Sequence, residues 1–255
     1  MNNRKSIAAI FVMGAMMFGV SGAAAAADPP PRIGVEIEGG PVWQSVNDVQ
    51  IPNDASGTRF SIVDVIGSGP FPAGRMYFIW NVNERHGVRL LLAPFSVTDT
   101  GEIAAPVEFA GETFEPGEVQ ATYRFNSWRA TYRYRFRNGE RASWWIGFTA
   151  KIRDAKIELN QDGATARKND VGFVPLLHYA GSVRLREGLF ILLDLDAIAG
   201  GPGRAEDVAL KLQYAAGDRW RFSAGYRTVE GGADVDEVYT FAWLHYAVLS
   251  AEMRF

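Results

Sequence analysis

The chain has 255 residues, of which 26 are basic and 29 acidic, and it contains no cysteine. The absence of cysteine excludes a disulfide framework, a cysteine–zinc site and thiolate catalysis. The net charge of −3 argues against a nucleic-acid-binding protein, which normally carries a basic excess.

The amino-terminus has the three-part pattern of an export signal. Arg4 and Lys5 precede an almost unbroken apolar run and then a series of small residues. The apolar run is shorter than the roughly 20 residues that a bilayer-spanning helix needs, so we interpret residues 1–27 as a cleaved signal peptide. Residues 28–31 then form a short Pro-rich leader, and residues 32–255 form the folded domain. Loss of Arg4 and Lys5 leaves 24 basic against 29 acidic residues, a net charge of −5.

The first half of the folded domain contains five segments with the alternation of β-strands. These candidate strands are Ile33–Trp43, Thr58–Ile66, Arg75–Val82, Val88–Val97 and Ile103–Phe114. The last of them is interrupted by proline and glycine, which weaken a strand. If all segments count, the sheet has twelve strands. If Ile103–Phe114 only extends a hairpin and one early segment lies outside the sheet, it has ten.

The clearest alternation runs from Trp128 to Arg137. Aromatic or apolar residues occupy one parity, and Arg129, Arg133 and Arg135 occupy the other. Because side chains of a strand alternate between its two faces, this segment has an aromatic face and a cationic face. In a membrane barrel the aromatic face would contact lipid and the arginines would face a hydrated lumen. In a soluble barrel the aromatic residues would fill a core, and this segment alone fits both arrangements.

The second half continues as a meander of alternating segments separated by turn signals. These segments are residues 144–152, 155–159, 172–186, 189–196, 207–214 and 220–227. The apolar parity changes within the first pair, which predicts a β-bulge near Arg153–Lys156. Short charged connections such as Asn138–Arg141 alternate with longer ones rich in Gly and Asp, such as 160–170 and 230–236.

The last strand alternates apolar or small residues with Ser250, Glu252 and Arg254, and it ends in Phe255. Together with the export signal, it resembles the closing strand of Gram-negative outer-membrane β-barrels. The resemblance implies an all-β fold, a single antiparallel up-and-down transmembrane β-barrel of about 12 strands (alternatively 10), located in the cell outer membrane. It also implies contact with outer-membrane lipid and lipopolysaccharide, and insertion by the barrel-assembly machinery with Phe255 as the assembly signal. A soluble, lipocalin-like periplasmic barrel is the alternative that the terminal aromatic residue disfavours.

The inward face of such a barrel would carry many charges. The candidate lumen-lining residues are Arg129, Arg133, Arg135, Lys151, Arg153, Asp194, Asp196, Arg221 and Arg227, with further charges of the same parity at Glu36, Glu38, Arg75, Arg89, Asp207 and Lys211. A lined pore uses such side chains to select ions or small solutes, which favours a small porin-like pore with an Arg-rich lumen. Small barrels are also often filled by their own side chains, so the same charges fit a closed structural or surface-interaction barrel without transport.

A third interpretation is an outer-membrane lipid hydrolase. The chain has only three histidines, His86, His178 and His245. His178 and Ser182 share a face but lie about 13 Å apart along a strand, too far for a direct nucleophile–base hydrogen bond. Only a cross-strand partner could complete a site, and His245, flanked by aromatic residues, is typical of a membrane-interface position. We therefore assign no catalytic residue, no metal site and no cofactor.

Overall fold

The computed structural model describes residues 32–200 and 203–255. Its elements are, in chain order, β1 (Ile33–Gln50), β2 (Phe60–Ser61), α1 (Ile62–Ile66), β3 (Phe71–Asn81), β4 (His86–Ala93), β5 (Ser96–Ile103), β6 (Val107–Phe109), β7 (Glu112–Phe114), β8 (Gly117–Asn138), β9 (Ala142–Gln161), β10 (Ala164–Arg186), β11 (Leu189–Gly200), β12 (Gly203–Ala216), β13 (Trp220–Val235) and β14 (Val238–Arg254). No helix in these ranges is long and apolar enough to cross a bilayer. The predicted signal peptide and Pro-rich leader lie outside the described residues.

Ten strands form a closed antiparallel wall. The order around the wall is β1, β3, β4, β8, β9, β10, β11, β12, β13 and β14, and β14 pairs with β1 to close it. The closing register runs from Gly34 opposite Arg254 to Gln50 opposite Tyr239. β5 continues along β8 beyond the end of β4, after an interruption at Pro94, which has no N–H to donate. Closure removes the exposed edges that an open sheet would present.

The strand count falls within the predicted range of ten to twelve, and the two segments on which the count depended both lie outside the wall. Residues 58–66 form only the two-residue β2 and the helix α1. Residues 103–114 end β5 and then form the small separate hairpin β6–β7. The wall therefore has ten strands. Pro106 and Gly111 interrupt the second of these segments, which explains why it does not form a wall strand.

The outside of the wall is apolar on every strand. A large outward side chain that is at least one-third exposed occurs on each of the ten strands: Ile37, Phe78, Leu90, Tyr132, Phe148, Leu177, Ile191, Leu210, Phe222 and Leu249. A protein in water would not expose so large a contiguous apolar surface. A continuous outward apolar band is what the hydrocarbon region of a bilayer requires of a barrel.

The longest strands change the polarity of their inward face along their length. On β8, Ser127, Arg129 and Thr131 are buried inside one part of the barrel, whereas Val119 and Ala121 are buried inside the other part. The inward face of β9 changes in the same way, from Thr149 and Lys151 to Ile157 and Leu159. The part of each strand that crosses the lipid therefore surrounds a polar interior. The part beyond the lipid, called the outer part below, surrounds an apolar interior.

This change of polarity corrects the predicted bulge near Arg153–Lys156. The pairing of β9 with both β8 and β10 is continuous through these residues. The same parity faces inward throughout, and only the chemistry of that face changes. At 22, 20 and 23 residues, β8, β9 and β10 are about twice the 9–11 residues that cross a bilayer. The apolar residues change from the outward to the inward parity, and this change therefore marks the end of the membrane-spanning part.

Both described ends of the chain lie at one rim of the barrel, where the predicted short turns also lie. The opposite rim carries β2, α1, β6–β7 and the β9–β10 and β13–β14 hairpins. Residues 160–170 and 230–236, predicted as long loops, are mostly strand. β9 and β10 are joined by a turn at Asp162 and Gly163, both with positive φ, so the hairpin extends further than its polar composition suggested.

The opposite rim is filled by a second, apolar core. Ile62, Val65 and Ile66 of α1 are buried there together with Phe109 and Phe114 of the β6–β7 hairpin. The two insertions are also joined by hydrogen bonds, since the Thr58 N–H donates to the Glu108 carbonyl over 2.9 Å. The insertions and the inward apolar faces of the long strands thus form an apolar plug, which is packed like the core of a soluble domain.

The two zones of β10 can be separated by introducing one charge into each. Leu177 and Asn169 both point outward on this strand, in the lipid-facing part and in the outer part respectively. We expect Leu177→Arg to destabilise the bilayer-inserted protein by about 2–4 kcal/mol, because a charge there faces hydrocarbon. Asn169→Arg should change stability by less than about 0.5 kcal/mol. Urea unfolding from lipid vesicles, followed by tryptophan fluorescence, measures both; equal effects would contradict the assigned membrane boundary.

Candidate functional site

A network of ion pairs fills the middle of the barrel. It contains five carboxylates and five cations contributed by strands from around the wall: Glu36, Glu38, Asp194, Asp196, Asp207, Arg75, Arg89, Arg129, Lys211 and Arg227. The alternation of each strand turns these side chains inward while apolar residues face outward. The equal numbers of opposite charges leave the lumen network formally neutral.

Arg227 on β13 is the centre of the network. Its Nε donates to Glu38 Oε1 of β1 over 2.9 Å, and its Nη1 donates to Asp207 of β12. Its Nη2 donates to the Tyr77 hydroxyl over 3.0 Å. Asp207 also accepts from Arg75 of β3 over 2.8 Å, so the two carboxylates join four strands, β1, β3, β12 and β13.

A second branch crosses the lumen through Asp196 on β11. Arg129 pairs with Asp207 over 2.7 Å and with Asp196 over 2.8 Å, which connects the two branches. Asp196 Oδ1 also accepts from the Thr149 hydroxyl and contacts His178 Nδ1, each at 2.8 Å. Beside it, Arg89 on β4 donates to the two Asp194 carboxylate oxygens from its two terminal nitrogens, Nη1 and Nη2. Charge-assisted bonds with two contacts per arginine fix orientation as well as charge.

The third branch is formed by Lys211 on β12. Its Nζ lies 2.7 Å from Glu36 Oε1 and 2.9 Å from Glu38 Oε2. Glu38 thereby bridges Lys211 and Arg227 and is fully buried. Removal of one partner from such a network leaves an uncompensated charge in a low-dielectric interior.

The side chains at the centre of this layer are tightly packed. Glu38, His178, Arg227 and Tyr77 are each 2% exposed or less. A side chain on the wall of a water-filled pore would be touched by water over much of its inward surface. Side chains this inaccessible show that protein atoms pack the centre of the layer.

The remaining predicted lumen residues lie in other layers. Arg133 and Arg135 lie near the rim that holds the chain ends, with their guanidinium groups 4.8 and 4.2 Å from the Trp145 ring centroid. Arg221 lies at the same rim and donates to backbone carbonyls of the β12–β13 turn. Arg153 pairs with Asp170 toward the opposite rim. The predicted arginine ladder is therefore divided among three layers.

Lys151 differs from the five cations of the ion-pair network. It is 3% exposed, and its Nζ lies 4.8 Å from the Phe125 ring centroid. No carboxylate of the described residues lies within 4.0 Å of it, in contrast to Lys211. Lys151 lies between the ion-pair network and the apolar plug, beside a cavity.

This cavity has a volume of about 80 Å³ and opens to solvent. Most of its wall is apolar, with Tyr123, Phe125, Ile157 and Val174 among the lining residues. Its charged inward residues are Lys151, Arg153, Lys168 and Asp170. Because Arg153 pairs with Asp170, the two lysines are left without a counterion among the described residues.

The wall is notched beside the cavity. β10 pairs with β11 only from Leu177 onward, so residues 164–176 have no partner on that side within the described part of the chain. The β11–β12 hairpin ends at Gly200 and Gly203, closer than the end of β10 to the rim that holds the chain ends. The cavity is lined from both sides of this notch, by β10 on one side and by β12 and β13 on the other. Cavity and notch together form a cationic cleft, defined by Lys151, Lys168 and the apolar residues around them.

The three histidines occupy different surroundings. His178 has the cross-strand partner that the sequence left open, Asp196, but its Nε2 is buried without a hydrogen-bond partner. His178, Asp194 and Asp196 could approach a metal ion, since their ligand atoms lie within 4.8 Å of one another. Both carboxylates are already bound by arginines, which argues for a structural role. His86 and His245 lie on the outside of the wall, each against a tyrosine hydroxyl.

No protein-family model matches the chain, and no curated protein matches it. Solved structures do. The outer membrane protease OmpT from Escherichia coli is 9% identical and has a TM-score of 0.50, with 89% of this chain and 97% of OmpT covered. Ail, the attachment invasion locus protein of Yersinia pestis, is 13% identical, with 88% and 99% covered and a TM-score of 0.39. The outer membrane protein AlkL is 11% identical, with 93% and 97% covered and a TM-score of 0.40.

The protein is an outer-membrane β-barrel. The likeness to OmpT carries the fold, and the outward apolar band with a charged interior is what a barrel in a bilayer requires. The identities are too low to transfer an activity from any of these structures. The function of this barrel has to be argued from its own residues.

Sequence reasoning missed part of the network. Tyr77, which bonds both Arg75 and Arg227, was not identified as a lumen residue. Its parity with Arg75 was the available signal. The charge balance of each layer and the apolar plug had no local signal, since both arise from strands distant in sequence.

Arg227 can be tested as the centre of the network. We expect Arg227→Met to destabilise the barrel by about 3–5 kcal/mol, because Glu38 and Asp207 would stay buried without their partner. Arg186→Met, at an exposed strand end, serves as the control and should change stability by less than about 0.5 kcal/mol. Urea unfolding in lipid vesicles measures both. Equal stability of the two variants would show that the network contributes nothing.

Proposed function

We propose that this protein is a closed outer-membrane barrel that binds an anionic amphiphile in the cationic cleft at its outer rim. The observation that carries the proposal is Lys151, a nearly fully buried cation with no carboxylate partner, beside a largely apolar cavity. A buried charge is normally paired, and each of the five cations of the neighbouring ion-pair network has a carboxylate within 4.0 Å.

The chemistry of the cleft selects the ligand class. Lys151 and Lys168 favour an anion, and the apolar wall favours an aliphatic chain. Small-molecule sites commonly combine a mostly apolar wall with a few placed polar groups. A single-chain amphiphile with a carboxylate or phosphate headgroup combines both features. The notch between β10 and β12 gives such a ligand a route from the side as well as from outside.

The ion-pair network supports a closed lumen over the pore that the sequence first favoured. An Arg-lined pore needs hydrated arginines along a continuous path, whereas Arg129 and Arg227 are bound by carboxylates and buried. The apolar plug of α1 and β6–β7 adds a second obstruction toward the opposite rim.

Single-channel recording tests the closed lumen. We expect the refolded mature protein to insert into a planar bilayer without discrete conductance steps. The triple variant Glu38→Ser, Asp207→Ser, Arg227→Ser removes the centre of the network while nearly balancing the charge, and it should admit current through that layer. Discrete ion-selective steps from the wild type that change with Arg133→Ala would instead support the pore.

Ligand binding tests the cleft. In phosphatidylcholine nanodiscs, with empty nanodiscs as the blank, we expect saturable binding of dodecanoate or dodecyl phosphate and at least about tenfold weaker binding of dodecanol, a difference of ~1.4 kcal/mol. Lys151→Met should remove that preference. Arg167→Met, an exposed charge on the outward face next to Lys168, is the matched control and should retain it. Equal affinity for dodecanol and both anions in the wild type would refute the proposed ligand class.

A further inference from the structure

A serine, a histidine and a tyrosine are hydrogen-bonded in series on the outside of the wall, away from the cationic cleft. Ser45 Oγ lies 2.8 Å from His245 Nε2. The other ring nitrogen, Nδ1, lies 2.5 Å from the Tyr226 hydroxyl. The three residues come from β1, β14 and β13, so the arrangement forms only when the barrel closes.

The bond pattern fits an activated nucleophile. In the tautomer with the proton on Nδ1, His245 donates to the Tyr226 oxygen, and its free Nε2 accepts the hydroxyl proton of Ser45. A nucleophile within hydrogen-bond reach of a base that a third group orients is the arrangement that covalent hydrolysis requires. Among the described residues, the Ser45 hydroxyl has one other hydrogen-bond contact, a longer one of 3.4 Å to the Trp243 carbonyl.

The backbone presents Ser45 in a distinct way. The β1–β14 register passes from Gln44 opposite Leu244 to Val46 opposite Trp243, so Ser45 is the residue that the pairing skips. A bulge of this kind re-aims a side chain and is common beside active sites. Ser45 is exposed, whereas the buried His178 and its Asp196 partner are enclosed in the lumen.

The height of the three residues matches the position of lipid ester bonds. His245 precedes Phe255 by ten residues on the outward parity of β14. At about 3.3 Å per residue and a tilt of about 40°, His245 lies about 25 Å above the chain end, which equals the height of the apolar band of such barrels. Trp43 and Trp243 are outward and exposed beside it, as in an aromatic girdle at the interface.

We propose that Ser45, His245 and Tyr226 form an interfacial site that hydrolyses acyl esters of lipids in the outer leaflet. Ser45 Oγ attacks the ester carbonyl while His245 Nε2 takes its proton, and the His245 proton then passes to the departing alkoxide as the ester C–O bond breaks. Water, deprotonated by His245, attacks the acyl-serine, releases the fatty acid and restores Ser45. The Tyr226 oxygen accepts the hydrogen bond from His245 Nδ1 throughout, so Tyr226 is a positioning residue.

The test uses the refolded mature protein in vesicles that contain a phospholipid with a pyrene-labelled acyl ester. We expect release of the labelled fatty acid, a fall of at least about 100-fold with Ser45→Ala or His245→Gln, and a smaller fall in kcat with unchanged KM for Tyr226→Phe. His86→Gln is the matched control, because His86 makes the same histidine–tyrosine contact, 2.7 Å from the Tyr132 hydroxyl, near the rim that holds the chain ends. It should keep wild-type activity.

A second measurement does not depend on the folding of any variant. A long-chain fluorophosphonate should label Ser45 of the wild-type protein, as located by peptide mass spectrometry. Absence of both hydrolysis and labelling, or hydrolysis that survives Ser45→Ala, would overturn the proposal. Neither result bears on lumen conductance or on dodecanoate binding, so this site and the cleft are tested separately.

Discussion

The contacts of Arg227 with Glu38 and Asp207 are the interaction on which the interior of the barrel depends. They join strands that are far apart in sequence, and Arg75, Arg129 and Lys211 extend them across the lumen. Each charge is costly to bury alone and acceptable only when its partners are in place. The network therefore requires the strands to be in their correct registers at the same time, and it gives a narrow barrel a packed middle layer.

The outer half of the barrel follows a different rule. Where β8, β9 and β10 pass beyond the bilayer, their inward residues become apolar and their outward residues polar, without any break in pairing. The surrounding medium explains the change: lipid outside favours a polar interior, and water outside favours an apolar one. One continuous sheet thus contains a membrane barrel and, above it, a core of the soluble type closed by α1 and the β6–β7 hairpin.

The features that suggest function lie at the boundary of these two zones. The cationic cleft lies where the charged layer meets the apolar plug, and Lys151 is left there without the counterion that its neighbours have. On the outer surface of the wall, Ser45 and His245 lie at the level of the aromatic girdle. The proposed closed lumen and the two proposed sites at the outer leaflet together favour a protein that acts on lipid-like molecules without conducting solutes. The two sites are on opposite faces of the wall, so neither requires the other.

The sequence by itself determined the class of fold. Strict alternation in segments such as Trp128–Arg137 fixes which face each side chain takes, because the strand period of two is a local property. The ambiguous count of ten or twelve strands also followed from local signals, at Thr58–Ile66 and Ile103–Phe114. Only the tertiary structure decided what each inward charge faces. The partners of Arg227, the isolation of Lys151 and the meeting of Ser45 with His245 all depend on the register between distant strands and on barrel closure, which no local pattern encodes. The changed parity after Ile152 likewise needed the structure, because a bulge and a membrane boundary leave the same local pattern in a sequence.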